Sequence, residues 1–234
     1  MKIQTFIFNW RGQIEKTKLK INQLREIGVD PIVINSDDLN KQEDWYNIGE
    51  DSYFTAQFLK ALELFDGDIL FHIQADASYN NWASLYDDAK KYFEIYNWGI
   101  YAPNVDYTFY DSTKTDLNIF TMDESNLRMV ANPDCTCWFI HKDILQLAKE
   151  KNIDFSKYKM GWSFDIVYTA LSYMHKRPVL RDYNHTIEHP SGTNYSKEQA
   201  EKEMISFYNT LPEDIQKPFL YIKTDRNKLG EYYT

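Results

Sequence analysis

Up to Pro103 the apolar residues come in two rhythms that take turns. Ile3–Phe8 alternates and is rich in β-formers, which predicts a strand. Ile14, Leu19, Ile21, Leu24 and Ile27 follow helical spacing, and Gly28 is a helix terminator. Pro31–Asn35 reads as a second strand and Asp44–Asp51 as loop. Tyr53–Phe65 is a helix whose apolar face holds Phe54, Phe58, Leu59, Leu62 and Phe65. A strand over Ile69–Ile73, a helix over Trp82–Tyr96 and a strand over Trp98–Pro103 complete a β-α-β-α-β-α-β series. Alternation of this kind predicts a doubly wound α/β sheet with right-handed crossovers.

The remainder has a different texture. Leu117–Met122 and Arg128–Val130 read as short strands around a turn, and Thr136–Ile140 as an apolar strand. Asp143–Lys149 is a short helix, and Gly161-Trp162 opens a helix running to Met174. Pro178–Leu180 is a strand, Asn184–His189 an extended stretch, and Ser196–Tyr208 a helix capped by Ser196 with Gln199 in the capping-box position. No repeat, low-complexity tract or linker interrupts this order. The expectation is one domain over 1–234, with 1–103 binding nucleotide and 104–234 binding acceptor.

The stretch Gly67–Tyr79, GDILFHIQADASY, holds the chemistry. Its apolar run suits a strand buried on both faces of a parallel sheet. Gln74-Ala75-Asp76 then falls at the carboxyl end of that strand, where open α/β sheets bind ligands. Gln74 and Asp76 alternate in phase and face one side. A carboxylate there can hold a hard divalent cation, and the cation a diphosphate. The plainer reading is an acid capping the next helix.

Composition narrows the classes. With 43% hydrophobic residues among 234, the chain can bury a sizeable core. Aromatics reach 16%, which is high; core and half-exposed tyrosines account for most of them, and part of the excess is expected to line a pocket, since flat rings stack on sugars and bases. The net charge of −9 argues against sequence-independent nucleic-acid binding, which needs a basic face. No apolar run approaches a membrane span and no secretory signal is apparent, so a cytoplasmic setting is expected. Cys135 and Cys137 stand too close along a strand to bridge, and are expected as reduced structural thiols.

These pieces, in this order, resemble a nucleotide-sugar-dependent glycosyltransferase of the GT-A fold, family-2-like and inverting, from Ile3 to Tyr195. The loop Asn9–Gln13 matches the place where such enzymes meet the nucleotide, and Asp37 or Asp38 the place where they bind base or ribose. Asn47-Ile48-Gly49 and Gln57 resemble the segment ahead of the metal strand, and GDILFHIQADA the stretch that carries the Asp-x-Asp motif. Gly161–Asp165, GWSFD, resembles the helix start that supplies the catalytic base, and His189-Pro190 the late histidine of the metal site. The sequence departs at Gln74, where the motif has its first Asp.

The resemblance implies a GT-A mixed sheet flanked by helices, with an acceptor-binding C-terminal half. It implies a divalent metal, Mn2+ or Mg2+, on Asp76 and His189, and a UDP-sugar as the first choice of donor. Donor contacts fall to Asn9, Arg11, Asp37, Asp38, Gln57, Gln74 and Asp76. Asp165 becomes the base, and Trp162 stacks on the acceptor. The acceptor is a surface glycan such as lipopolysaccharide or capsule, with a modified DNA base the less favoured choice. Plainer roles exist for each: a first-turn acid for Asp165, core for Trp162, a surface imidazole for His189, a solvated charge for Arg11, and a turn pair for Asp37 and Asp38. His141, His175 and His185 show no ligand spacing and are expected to be structural. A non-catalytic nucleotide- or sugar-binding module with the same fold is the rival, sustained by Gln74.

Overall fold

The computed structural model describes residues 1–50, 52–106, 115–117, 126–190 and 196–233. The alternating N-terminal rhythm becomes β1 (Ile3–Asn9), α1 (Ile14–Glu26), β2 (Ile32–Asn35), β3 (Tyr46–Asn47), α2 (Phe54–Leu64), β4 (Ile69–Gln74), α3 (Trp82–Tyr96) and β5 (Ile100–Val105). Then follow β6 (Leu127–Met129), β7 (Cys137–His141), α4 (Lys142–Glu150), α5 (Phe164–Met174), β8 (Val179–Ile187), α6 (Lys197–Tyr208), α7 (Glu213–Thr224) and α8 (Gly230–Tyr233).

All eight strands form one sheet in the order β3-β2-β1-β4-β7-β5-β8-β6. β3, β2, β1 and β4 run parallel. β7 enters antiparallel between β4 and β5, so the last strand of the alternating series is not the neighbour of the one before it. β5 and β8 are parallel again, and β6 is antiparallel at the edge.

The two faces take different helices. Thr5 meets Tyr86 of α3, Phe71 packs edge-on to Tyr86, and Trp82 of α3 donates to Gln23 of α1, so α1 and α3 share a face. Phe8, Phe58, Trp138, Phe164 and Tyr168 form a continuous ring cluster with α2 and α5 on the other. Each such ring pair adds about 0.5–1.5 kcal/mol beyond area burial. The C-terminal segment packs on α5: Phe207 reaches Phe155 and Phe164, and Tyr233 meets Tyr173. No helix among the described residues is long and apolar enough to cross a membrane.

Several boundaries differ from expectation. The loop Asp44–Asp51 contains the two-residue strand β3, which borrows its pairing from β2; Asp51 lies outside the described residues. The strand and the extended stretch expected at Pro178–Leu180 and Asn184–His189 are one strand, β8. Of the strand expected at Leu117–Met122 only Leu117 is described, beside an isolated bridge between Asp116 and Val130; residues 118–122 lie outside. The helix expected from Gly161 starts at Phe164. Gly161 and Ser163 both have positive φ (72° and 88°), which no helix tolerates in sequence. A Cβ at Gly161 would sit 2.3 Å from Phe54 Cδ1, so only glycine fits this approach to α2. Ser196 caps α6 as expected, its Oγ accepting from the Gln199 N–H at 3.2 Å.

Candidate active site

The polar residues that end β1, β2 and β4 come together because parallel strands stop at one edge. At the ends of β1 and β2 they form a buried seam. Asn9 is fully buried; its Nδ2 donates to Asn35 Oδ1 at 2.7 Å and its Oδ1 accepts from Thr17 Oγ1 at 2.7 Å. Gln57, 4% exposed, donates through Nε2 to the carbonyls of Asn9 (2.8 Å) and Ile34 (3.0 Å). Asp37 is also buried and accepts from the Leu39 N–H and Asn40 Nδ2, closing its own turn. These three expected donor contacts therefore hold the strand ends to α1, α2 and the following turn, with side chains occupied inside the protein.

Asp38 and Arg11 remain at the surface. Asp38 accepts the Glu50 N–H at 3.0 Å and pairs with Lys41 at 3.1 Å, and these partners hold its carboxyl below the usual range. Arg11 is ion-paired to Glu50, so the two loops meet at one rim.

At the end of β4 the chain is clamped. Gln74 N–H bonds to Thr136 O at 2.9 Å and Ala75 N–H to Phe8 O at 3.0 Å, while Ser78 and Glu188 exchange both backbone bonds at 2.8 and 2.9 Å. Lys20, from α1 and 3% exposed, donates to Ala75 O at 3.2 Å and Ala77 O at 2.5 Å. Asp76 stands between those carbonyls. Its Oδ1 is buried without a hydrogen-bond partner among the described residues, and lies 3.6 Å from His189 Nε2. Burial raises the Asp76 carboxyl above its ordinary range, with His189 opposing. His189 is held in turn by its N–H to Asp106 Oδ1 at 2.8 Å. Adjacent ligands of a cation with ~2.1 Å bonds stand ~3–3.5 Å apart; the pair, at 3.6 Å, is close to that spacing, and an orphaned buried carboxylate oxygen is compatible with a hard cation.

Asp165 sits in the first turn of α5, half-buried, its Oδ1 accepting the Ile166 N–H at 2.9 Å. Burial, and then Asp134, push its carboxyl up to about 6, against Lys223 of α7 and Asn132. The loop holding Asp134 reaches β4 directly, since Asp134 Oδ1 accepts the Thr136 N–H at 2.8 Å and Thr136 O accepts from Gln74. The segment before α5 is tied to α2 through Thr55 N–H to Lys159 O, 3.3 Å. Asp165 thus belongs to the same sheet edge as Asp76. Trp162, partly exposed, precedes the helix and does not share its face with Asp165.

A second acid–imidazole group was not read from the sequence. His185, expected to be structural, brings its Nε2 to 2.8 Å from Asp88 Oδ2 and 3.8 Å from Asp182 Oδ2. Its Nδ1 lies 2.7 Å from the Tyr79 hydroxyl, and Tyr101 donates to Asp182 Oδ2 at 2.8 Å. One ligand atom from each of Asp88, Asp182 and His185 lies within 4.8 Å of the others, an arrangement compatible with a divalent ion. The only trace in the sequence is the i, i+3 spacing of Asp182 and His185; Asp88 comes from a helix elsewhere.

Among solved structures, the fold is similar to S. aureus TarS 1–349 in complex with UDP-GlcNAc, with TM-score 0.59 and 13% identity over 97% of this chain and 74% of that one. The same TarS fragment in complex with UDP gives TM-score 0.56 and 13% identity, over 97% and 73%. A longer S. aureus TarS chain gives 0.57 and 9% identity, over 100% and 55%. No family model and no curated protein matches the chain. What the likeness shows is the mixed α/β fold, which in this chain is an eight-stranded sheet flanked by helices.

Proposed function

We propose that the chain is an inverting GT-A glycosyltransferase, family-2-like, which moves a sugar from a nucleotide-sugar donor to an acceptor hydroxyl. The observation that carries this reading is the meeting of Asp76 and His189 at the end of β4, on the edge that also holds Asp165. The fold neighbours solved with UDP-GlcNAc and UDP favour a UDP-sugar.

In this reading Asn9, Asp37 and Gln57 brace the nucleotide edge from inside. Asp38 and Arg11 meet base, ribose or phosphate at its rim, Arg11 exchanging Glu50 for the donor. Gln74 offers a neutral carboxamide beside Asp76. A divalent cation, Mn2+ or Mg2+, held by Asp76 and His189 would neutralise charge developing on the diphosphate. Asp165 takes the acceptor hydroxyl proton as the oxygen attacks the anomeric carbon and the bond to the diphosphate breaks. Attack from the face opposite the leaving group inverts that carbon. Trp162 stacks on the acceptor.

The acceptor we favour is a surface glycan, with a modified DNA base second because of the net charge of −9. We further propose a single domain, nucleotide half 1–103 and acceptor half 104–234, working in the cytoplasm.

The test is release of nucleoside diphosphate from a panel of nucleotide sugars, with and without Mn2+. Turnover is expected with at least one donor. Asp165→Asn should lower it ~10²–10⁴-fold with donor binding unchanged; equal loss of both would make Asp165 structural. Gln74, which leaves one carboxylate at the motif, favours the rival binding module. Tight nucleotide binding without turnover on any donor would select that rival.

A further inference from the structure

Lys20 has an unusual position for a lysine. Helical spacing puts it on the face of Thr17, Ile21 and Leu24, and it is 3% exposed, while Lys16 and Lys18 on the same helix are exposed. A buried ammonium needs partners, and among the described residues Lys20 has no ion pair. Its Nζ instead binds the carbonyls of Ala75 and Ala77. Those carbonyls flank Asp76 on either side.

We infer that Lys20 is a positioning residue: by holding the carbonyls of Ala75 and Ala77 inward, it turns the Asp76 carboxylate toward His189 and fixes it there for cation capture. This rests on the reading of Asp76 and His189 as the cation pair.

The physical reason is the local shape of the chain. Past Gln74 the strand has left its ladder, and Ala75 and Ala77 offer no side chain with which to anchor the loop. The remaining hold comes from backbone bonds to Phe8, Gln74 and Glu188. None of those bonds involves the carbonyls of Ala75 and Ala77. Two charge-assisted bonds from one nitrogen fix both at once, and so fix the backbone on either side of Asp76. A cation ligand needs a fixed direction. Lys16 stands on the same helix, but no bond from it to the loop exists among the described residues, and this difference separates positioning from mere charge.

The experiment measures Mn2+ binding, by the loss of free-ion paramagnetic resonance, on wild type, Lys20→Met, Lys20→Gln and Lys16→Met. Hydrogen exchange of residues 74–80 is followed in parallel. Lys20→Met should weaken Mn2+ binding by tenfold or more and speed exchange in the loop alone, as outer-sphere partners typically cost 10–100-fold in metal affinity. Lys20→Gln, which can still donate to one carbonyl, should recover part of both. Lys16→Met should change affinity less than threefold and leave exchange as it is. Equal weakening by the two methionine variants, or unchanged exchange in Lys20→Met, would overturn the inference and leave the cation pair standing. Failure of the wild type to bind Mn2+ would overturn the cation pair and this inference with it.

Discussion

β8 carries one histidine to Asp88 and Asp182 and, a few residues on, the chain carries another to Asp76. The two groupings share their chemistry and differ in wiring. Around His185 each polar atom named has a partner: Tyr79 at Nδ1, Asp88 at Nε2, and Tyr101 and the Asn184 N–H on Asp182. Around His189 the Asp76 Oδ1 is buried and lacks a hydrogen bond among the described residues, and the pair stands beyond hydrogen-bond distance. A closed polar network makes the interior rigid and unique. A buried oxygen left open costs free energy that structure alone does not return, and such a cost persists where a ligand repays it. Composition would have ranked the first grouping, with two acids and one imidazole, above the second. Wiring reverses the ranking.

Variants can break this contrast. The largest effect is expected from Asp182→Ala. It strips the closed group of a fully buried carboxylate and leaves the Tyr101 hydroxyl and Asn184 N–H without an acceptor. Chemical denaturation should show a loss of about 3 kcal/mol, with Mn2+ affinity kept. A chelator should leave the Tm of Asp76→Asn unmoved; a drop in that variant would mean that an ion resides between Asp88, Asp182 and His185.

Next is Asp165→Asn, read as stability. The Asp165 carboxyl is raised from 3.8 to about 6, so the folded state holds its proton more tightly than the unfolded chain. Stability from this group is present below pH 4 and lost as pH rises through 6. At pH 7 the asparagine variant should therefore be more stable than wild type by about 2 kcal/mol, the gap closing toward pH 4. A gap that does not change with pH would show that the ionised carboxylate is well solvated. The smallest stability change belongs to Asp76→Asn, which relieves a raised carboxylate and should not lower Tm at pH 7, while Mn2+ affinity falls at least tenfold. A marked loss of stability would place Asp76 with the closed group and erase the contrast.

Much of this was legible in the order of residues. The elements up to Phe65 and the central strand announce themselves because apolar runs and helical spacing stop at Gly28 and at Gly67-Asp68. Asp76 and His189 were paired from the resemblance, and the backbone delivers them to one place. What escaped has one cause: it depends on partners far away in sequence. Nothing local tells β7 to insert between β4 and β5. Lys20 lies on the buried face of α1, and its partners, the carbonyls of Ala75 and Ala77, are more than fifty residues away. α5 starts later than Gly161 because Gly161 and Ser163 take positive φ, and the space beside Phe54 at 161 admits only glycine. Asn9 and Gln57 carry the right polarity for a ligand edge, yet the Asn9 side chain bonds Asn35 and Thr17, and Gln57 donates to the carbonyls of Asn9 and Ile34.

The register of β8 against β5 jumps after Pro103: Pro103 faces Asp182, and Asn104 faces Thr186. Tyr183, Asn184 and His185 have no counterpart on β5, so the strand stores extra chain at that point. The irregularity works as a phase adjuster. Upstream of it the strand is locked to the middle of the sheet; downstream, a reset count brings Glu188 against Ser78 and places His189 opposite Asp76. A deletion within Tyr183–His185 would leave every ligand residue in the chain and still pull the imidazole out of reach, so the distance between these two side chains is set by backbone arithmetic some way from either of them.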